Sequence, residues 1–380
     1  VFYYAEDLIN VLHSQKNIIV YGAGNIAAMV VNCLQSEFYD MKILCFAVSD
    51  KADNQNNING IPVYDIKDLV KYNQNSILLI AVLEKYYDEI YMHVKHLGFF
   101  NIIQLTFESK NWSDLRENYL IDFCAKRQLP YLRFDDEIRR IKAKKKSLQD
   151  ETGVKIELYV VKNHMDKSLT VPPEFKKYII PIQVGSTFSD KKIAKIQDDK
   201  GMNISNKNPV YCELTAIYWI WKNVTCPYVG VCHYRRYFDI EEEQLKYLSV
   251  ANIDVVLSIP ILSFPDIEQG YIRDHKAEDW NVMMKVLKNM HIEYYETAAW
   301  HYKDIFYYPY NMMIAKKDIF DAYCEWLFPI LRKIEQYCQE KEDYYQNRYI
   351  GFLAERLLSL YFIHNRNKYK VVHVAKKFYS

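Results

Sequence analysis

The chain has 380 residues, half of them hydrophobic, and a formal net charge of +1. That length suggests two domains with a sizeable core, and the near-neutral balance excludes a globally basic nucleic-acid binder. No apolar run approaches the ~18 residues of a spanning helix, and eight scattered cysteines without C-x-x-C or metal-ligand spacing read as reduced thiols of a cytoplasmic protein.

The sequence opens at Val1 without a signal-peptide pattern. In the first third, "NIIVY" (17–21) predicts a buried strand, followed by "GAGN" (22–25) and a helix over 26–35. "KILCFAVSD" (42–50) predicts a second strand, 61–70 a turn and short helix, and "SILLIAV" (76–82) a third strand. A helix over 86–99 closes at Gly98, and "NIIQL" (101–105) is a further strand. Strands alternating with helices predict a Rossmann-like doubly wound α/β domain over 1–108. Gly22, Gly24 and Ala27 match G-x-G-x-x-A between strand and helix, with Asp50 ending the second strand near the ribose position. Such a turn either binds a dinucleotide or serves tight strand–helix packing. No hydride-transfer residues follow it, so NAD is not expected as a cofactor.

Residues 109–150 lack strands and predict a helical linker. Its basic run "RRIKAKKK" (139–146) is either a solvated helix face or a peripheral contact with anionic lipid at about 1 kcal/mol per charge. A second α/β unit over 151–380 begins with "KIELYVVKN" (155–163) and "YIIPIQVG" (178–185) as strands. A helix over 206–223 is expected with Asn208 as N-cap and Pro209 behind it. "YVGVC" (228–232) and "IDVVLSIP" (253–260) are strands, 310–331 reads as strand then helix, a long helix covers about 346–363, and "KVVHV" (370–374) is a closing strand. Trp219, Trp221 and Trp326 stand at helical spacing and read as core. The 34 tyrosines and 18 phenylalanines are unusual; such rings fill cores or line sugar and base sites.

The segment after strand 228–232 poses the chemical question: His233, Tyr234, Arg235 and Arg236 leave a strand end among aromatics. Arginine offers phosphate a planar, permanently charged fork. Strand alternation would turn His233 and Arg235 one way and Tyr234 and Arg236 the other. Arg235 or Arg236 is expected to bind a diphosphate, and His233 to be a phosphate donor or a metal ligand. The structural alternative pairs one arginine with Glu213 or Asp239 and leaves His233 in the core.

Five stretches of the second half, "IQVGS" (182–186), 203–223, "YVGVCHYRRYF" (228–238), 310–331 and "RYIGFLAERLLSLYF" (348–362), closely resemble a bacterial family catalogued as a domain of unknown function in capsule and exopolysaccharide loci. The family is regarded as GT-A-type glycosyltransferases that include galactofuranosyltransferases. The resemblance implies a GT-A-like glycosyltransferase domain over 151–380. It also implies a UDP-sugar donor and a glycan acceptor, expected to be lipid-linked and met at the inner membrane face. Where the family often carries an Asp-Asn pair, this chain has Met202 and Asn203.

GT-A enzymes usually hold Mn²⁺ or Mg²⁺ with Asp-x-Asp at a strand end to stabilise the departing diphosphate. None follows an apolar strand here, so the metal stays undetermined; Asp239 and Glu241 are the nearest substitute, and the gap keeps open a non-catalytic sugar-nucleotide-binding or scaffold subunit. The resemblance places Val161, Lys162 and Asn163 near the nucleotide base and Asn203 and Ser205 at donor or acceptor. Asp274, His275 and Asn311 are expected at the acceptor. Asp279 and Glu355 are the two candidates for the general base, Glu355 projecting off the main apolar stripe of its helix.

Overall fold

The computed structural model describes residues 5–144, 154–170, 173 and 176–379. Two compact units divide between Gln128 and Leu129.

In the first unit helix α1 (Ala5–His13) precedes β1 (Ile18–Tyr21), α2 (Asn25–Leu34) and β2 (Ile43–Val48). Then come β3 (Asn57–Ile58), β4 (Ile61–Asp65), β5 (Ile77–Ile80), α3 (Tyr87–His96), β6 (Ile102–Gln104) and α4 (Lys110–Lys126). The strand order is β3-β4-β2-β1-β5-β6, parallel except for the β3–β4 pair, which is the Rossmann-like arrangement read from the alternation of elements. Segment 61–70, expected as turn and helix, instead contributes β4 and a 3-10 turn over Ile66–Tyr72. Its alternation Ile61, Val63 buries two side chains against the sheet, and five residues suffice for a short strand.

The stretch read as a linker carries two helices. Helix α4 buries Trp112, Leu115 and Leu120 within the first unit. Helix α5 (Phe134–Lys144) buries Phe134, Ile138 and Ile141 in the second. Of the basic run, Arg140 bonds Glu137 one turn back, at 2.7 Å, while Lys145 and Lys146 lie outside the described residues. Among the described residues no helix is long and apolar enough to cross a membrane.

The second unit is built on β7 (Ile156–Lys162), β8 (Ile179–Gln183), β9 (Ile196–Gln197), β10 (Tyr228–His233), β11 (Arg236–Phe238) and β12 (Val255–Ser258), followed by β13 (Ile261–Leu262), β14 (Phe306–Tyr307), β15 (Met313–Lys316), β16 (Val371–Val374) and β17 (Lys376–Phe378). A nine-stranded mixed sheet runs β16-β12-β15-β10-β7-β8-β9, with β11 and β17 laddered beside β10, while β13 and β14 pair separately. Strands β10, β7 and β8 are parallel and β15 antiparallel, a GT-A-like α/β arrangement. At Gly230, in the middle of β10, an added Cβ would stand 2.8 Å from both Ile314 Cγ1 and Leu158 Cδ1.

The helices are α6 (Asn208–Tyr211), α7 (Leu214–Asn223), α8 (Tyr247–Val250), α9 (Ile267–Asp274), α10 (Ala277–Met290), α11 (Ile292–His301), α12 (Lys317–Tyr337) and α13 (Tyr349–His364). The single helix expected over 206–223 is broken at Cys212, whose φ of 50° lies in the left-handed region. Asn208 is therefore not an N-cap; its amide donates to the Cys212 carbonyl at 2.8 Å and ties the break together. Of the three tryptophans read as core, Trp326 is buried, whereas Trp219 and Trp221 are only half-buried, Trp219 donating to the Lys200 carbonyl at 2.7 Å and Trp221 stacking on Phe328 at 5.6 Å.

Candidate functional site

Parallel pairing brings the carboxyl ends of β7, β8 and β10 to one edge of the sheet, and antiparallel β15 starts at the same edge, with Val231 opposite Met313. Such an edge is where α/β sheets bind ligands. The residues just before β15 form its hub. Tyr310 and Asn311 are consecutive left-handed residues, φ 69° and 50°, a conformation that costs non-glycine residues energy and is kept only where surroundings enforce it.

Tyr310 bridges two titratable groups. Its N–H donates to Glu355 Oε1 at 2.8 Å, and its carbonyl accepts from His233 Nε2 at 2.7 Å. A carbonyl only accepts, so Nε2 carries the proton, and Nδ1 keeps its lone pair with no partner among the described residues. Burial lowers the His233 pKa against the opposing pull of Glu213, so the ring is neutral near pH 7. A lone pair repels phosphate, which argues against His233 as a phosphate donor through Nδ1.

The side chain of Glu355 is 15% exposed and is paired with Arg356 Nη1 at 2.9 Å. Burial pushes its carboxyl up to about 7, with Arg356 and the Tyr310 N–H opposing and the Glu213 carboxylate adding to the rise. Glu213 in turn accepts from Asn311 Nδ2 at 2.7 Å. Asn311 is fully buried and also donates to the Gly351 carbonyl, so it holds Glu213 and α13 in register.

The arginines are arranged differently from strand alternation. Strand β10 ends at His233 and turns back through Tyr234 and Arg235 alone, so His233 pairs across the hairpin with Arg236. The alternation argument fails because a two-residue turn reverses the chain before it can continue. Arg236 lies over the Tyr310 ring at 4.3 Å. Arg235 sits at the turn with no hydrogen-bond partner for its guanidinium among the described residues, and its Nε is buried. Neither proposed ion pair forms: Glu213 is held by Asn311, and Asp239 pairs with Lys377 at 2.9 Å.

Asp166, its carboxylate accepting from the Asn163 N–H at 2.7 Å, is raised by burial and held back by His233, Arg235 and Lys162. Lys162 thus reaches the cluster, and Val161 supports the turn by accepting from the Tyr234 N–H. Arg348, half-buried, donates Nε to Cys212 Sγ at 3.1 Å, and its terminal nitrogens have no hydrogen-bond partner among the described residues. Its charge acts on both His233 and Glu355.

Other expected residues lie elsewhere or are engaged. Asp279 is 2% exposed and closed by Lys341 at 2.8 Å. Ser205 is buried and donates to Asp198, a buried acid that also accepts from Thr215 and from the amides of Gly185 and Ser186. Asn203 bonds the Asp199 and Gly201 carbonyls and orders its own loop. Asp274 forms a two-pronged pair with Arg273, both contacts 2.9 Å, and His275 stacks on Phe352 at 4.0 Å.

The residues do not fit a carboxylate-held metal. Glu241 and Asp239 are taken by Lys176 and Lys377, and no group of three or more His, Cys, Asp and Glu is arranged for a cation among the described residues. In the first unit an added Cβ at Gly22 (φ 121°) would meet the Ala81 carbonyl at 2.7 Å, so close packing explains that glycine. Around Gly24 the space is open, and Asp50 accepts from the Ala52 N–H at 2.8 Å.

Sequence reasoning missed Asp166, Tyr310, Arg348 and Arg356. Arg348 and Arg356 carried a signal, since both lie in the stretch 348–362 and arginines on a buried helix need partners.

A family model described as "Domain of unknown function (DUF4422)" matches residues 159–366, and one described as "C2185-like, N-terminal" matches 14–101. The chain is similar to the apo structure of the WbbM bifunctional glycosyltransferase, with 29% identity and a TM-score of 0.53, over 60% of this chain and 46% of that one. It thus spans less than half of that protein's length. RSP, a Rex-family repressor, matches with a TM-score of 0.22 and 15% identity over 33% of this chain and 70% of that one, too distant to carry an argument. No curated protein matches the chain.

Proposed function

This chain belongs to the DUF4422 family, and from that membership we propose that it is a glycosyltransferase. It moves a hexosyl group, such as galactofuranosyl, from a UDP-sugar to a growing capsular or exopolysaccharide glycan. The acceptor is lipid-linked, and the protein works peripherally at the inner membrane face. The observation that carries the reading is the Tyr310 bridge: one strained residue fixes a neutral histidine and a carboxyl of pKa about 7, with the guanidiniums of Arg235 and Arg348 in the same cluster.

Glu355 is the base. Its ionised form takes the proton of the acceptor hydroxyl as that oxygen attacks the anomeric carbon and the bond to the diphosphate breaks. A pKa near the working pH gives both a useful ionised fraction and basicity. Asp279 is the poorer candidate because Lys341 already neutralises it in the interior. Negative charge grows on the leaving diphosphate, and the fixed charges of Arg235 and Arg348 neutralise it without rearranging. His233, neutral, holds the Tyr310 carbonyl and with it the base.

UDP-sugar turnover with and without EDTA tests the reading. Turnover that survives EDTA is expected. Binding of UDP without any transfer, to water or to glycan, would leave a sugar-nucleotide-binding subunit instead. No binding of UDP would refute both.

A further inference from the structure

Next to Glu355 the surface carries a stack of rings that the transfer step does not use. His275 lies against Phe352 at 4.0 Å with 21° between the planes, and Tyr345 faces His275 at 6.0 Å and 25°. Tyr345 also meets Phe352 at 5.1 Å, yet it remains 52% exposed. An aromatic ring held rigid by two neighbours and left half open to water costs hydrophobic surface without filling a core. Phe352, which Tyr345 meets, stands one helical turn before Glu355 on α13, and Arg348, Glu355 and Asp274 all act electrostatically on the Tyr345 ring. Burial keeps His275 far down, at about 4, so the stack stays neutral and apolar.

The position is held from two sides. Gln346, next to Tyr345, donates to the Asp274 carbonyl at 3.1 Å and ties the segment before α13 to the end of α9. At that end Arg273 and Asp274 form an exposed, two-pronged pair. A flat apolar face beside a fixed polar rim matches a sugar ring, which has one C–H-rich face and an equator of hydroxyls.

We propose that Tyr345, backed by His275 and Phe352, is the platform for the acceptor's terminal sugar ring, with Asp274 and Arg273 as its polar rim and Glu355 at the reacting hydroxyl. The inference rests on the proposed function and names the acceptor side of the same site. The strand-end arginines, on the His233 side of the Tyr310 bridge, serve the donor.

The test uses the full chain and octyl β-D-galactopyranoside as probe, a pyranose on an apolar tail. Saturation-transfer NMR reads probe binding with and without UDP, and calorimetry reads UDP binding. The wild type is expected to saturate the ring protons of the probe. Tyr345→Ala should weaken probe binding at least tenfold, Tyr345→Phe should retain it, and both should bind UDP as the wild type does. Tyr345 is exposed, so neither change should unfold the chain. Unchanged probe binding by Tyr345→Ala, no probe binding by the wild type, or a parallel loss of UDP binding would overturn the platform. Failure of the wild type to bind UDP while the probe still binds through Tyr345 would instead sink the transferase reading and leave the platform standing.

Discussion

Replacing Glu355 by glutamine isolates the titration of one buried carboxyl. Folding moves this group from 4.5 to about 7, chiefly by burial. At ~1.4 kcal/mol per pH unit, the native state prefers the protonated form by about 3 kcal/mol relative to the unfolded chain. The folded pKa is the raised one, so the stabilisation is complete below about 4.5 and is lost as pH climbs through about 7. Between pH 5 and pH 8 the wild type should therefore lose about 2–3 kcal/mol relative to Glu355→Gln. The glutamine amide cannot accept from Arg356 as the carboxylate does, but that penalty is independent of pH and shifts the whole curve without changing its slope. Urea denaturation of both proteins across this range, followed by circular dichroism, gives the difference directly. Other titrating groups cancel between the two proteins. Parallel stability curves would refute the buried-carboxyl argument. The same ionisation should appear in catalysis: kcat/KM of the wild type rises with pH and levels off above about 7, while Glu355→Gln is inactive throughout.

Arg235→Ala removes a guanidinium that makes no hydrogen bond to the described residues, so UDP affinity should fall about 10- to 100-fold, the worth of a charge-assisted hydrogen bond, with stability little changed; unaltered affinity in calorimetry would refute the phosphate role. Gly230→Ala forces a methyl to within 2.8 Å of Ile314 and Leu158, and thermal or urea unfolding should show a loss of ~1–3 kcal/mol. Asp198→Ala leaves two amides and two hydroxyls without their buried acceptor and should cost at least ~3 kcal/mol in urea unfolding, while a surface acid such as Glu243 should be replaceable at no measurable cost.

Much of this architecture was legible because it follows from period and composition. The runs "NIIVY", "SILLIAV" and "YVGVC" are almost wholly apolar, so they became interior strands of their sheets. What escaped is local reversal. Nothing in the letters of Tyr234–Arg235 announces a turn, and at Tyr310–Asn311 only Pro309 and the asparagine hint at one; sheet pairing and buried hydrogen bonds impose both. The break at Cys212 is hidden for the same reason, inside a segment whose residues otherwise favour one helix. For the site, His233, Arg235 and Glu355 were visible as polar groups at the margins of apolar runs. His233 and Glu355 share a partner distant in the chain, and only the fold brings it to them: Tyr310 lies 77 residues from His233 and 45 from Glu355.

The left-handed trio Cys212, Tyr310 and Asn311 also bears on engineering. Glycine would relax the backbone at each of them at no steric cost. The same change would delete what the side chains hold: the Asn311 amide on Glu213 and Gly351, the Cys212 sulfur on Arg348, and the Tyr310 ring against the core. Strain relief at these three addresses is therefore no route to a tougher protein, and any engineering campaign should leave them alone.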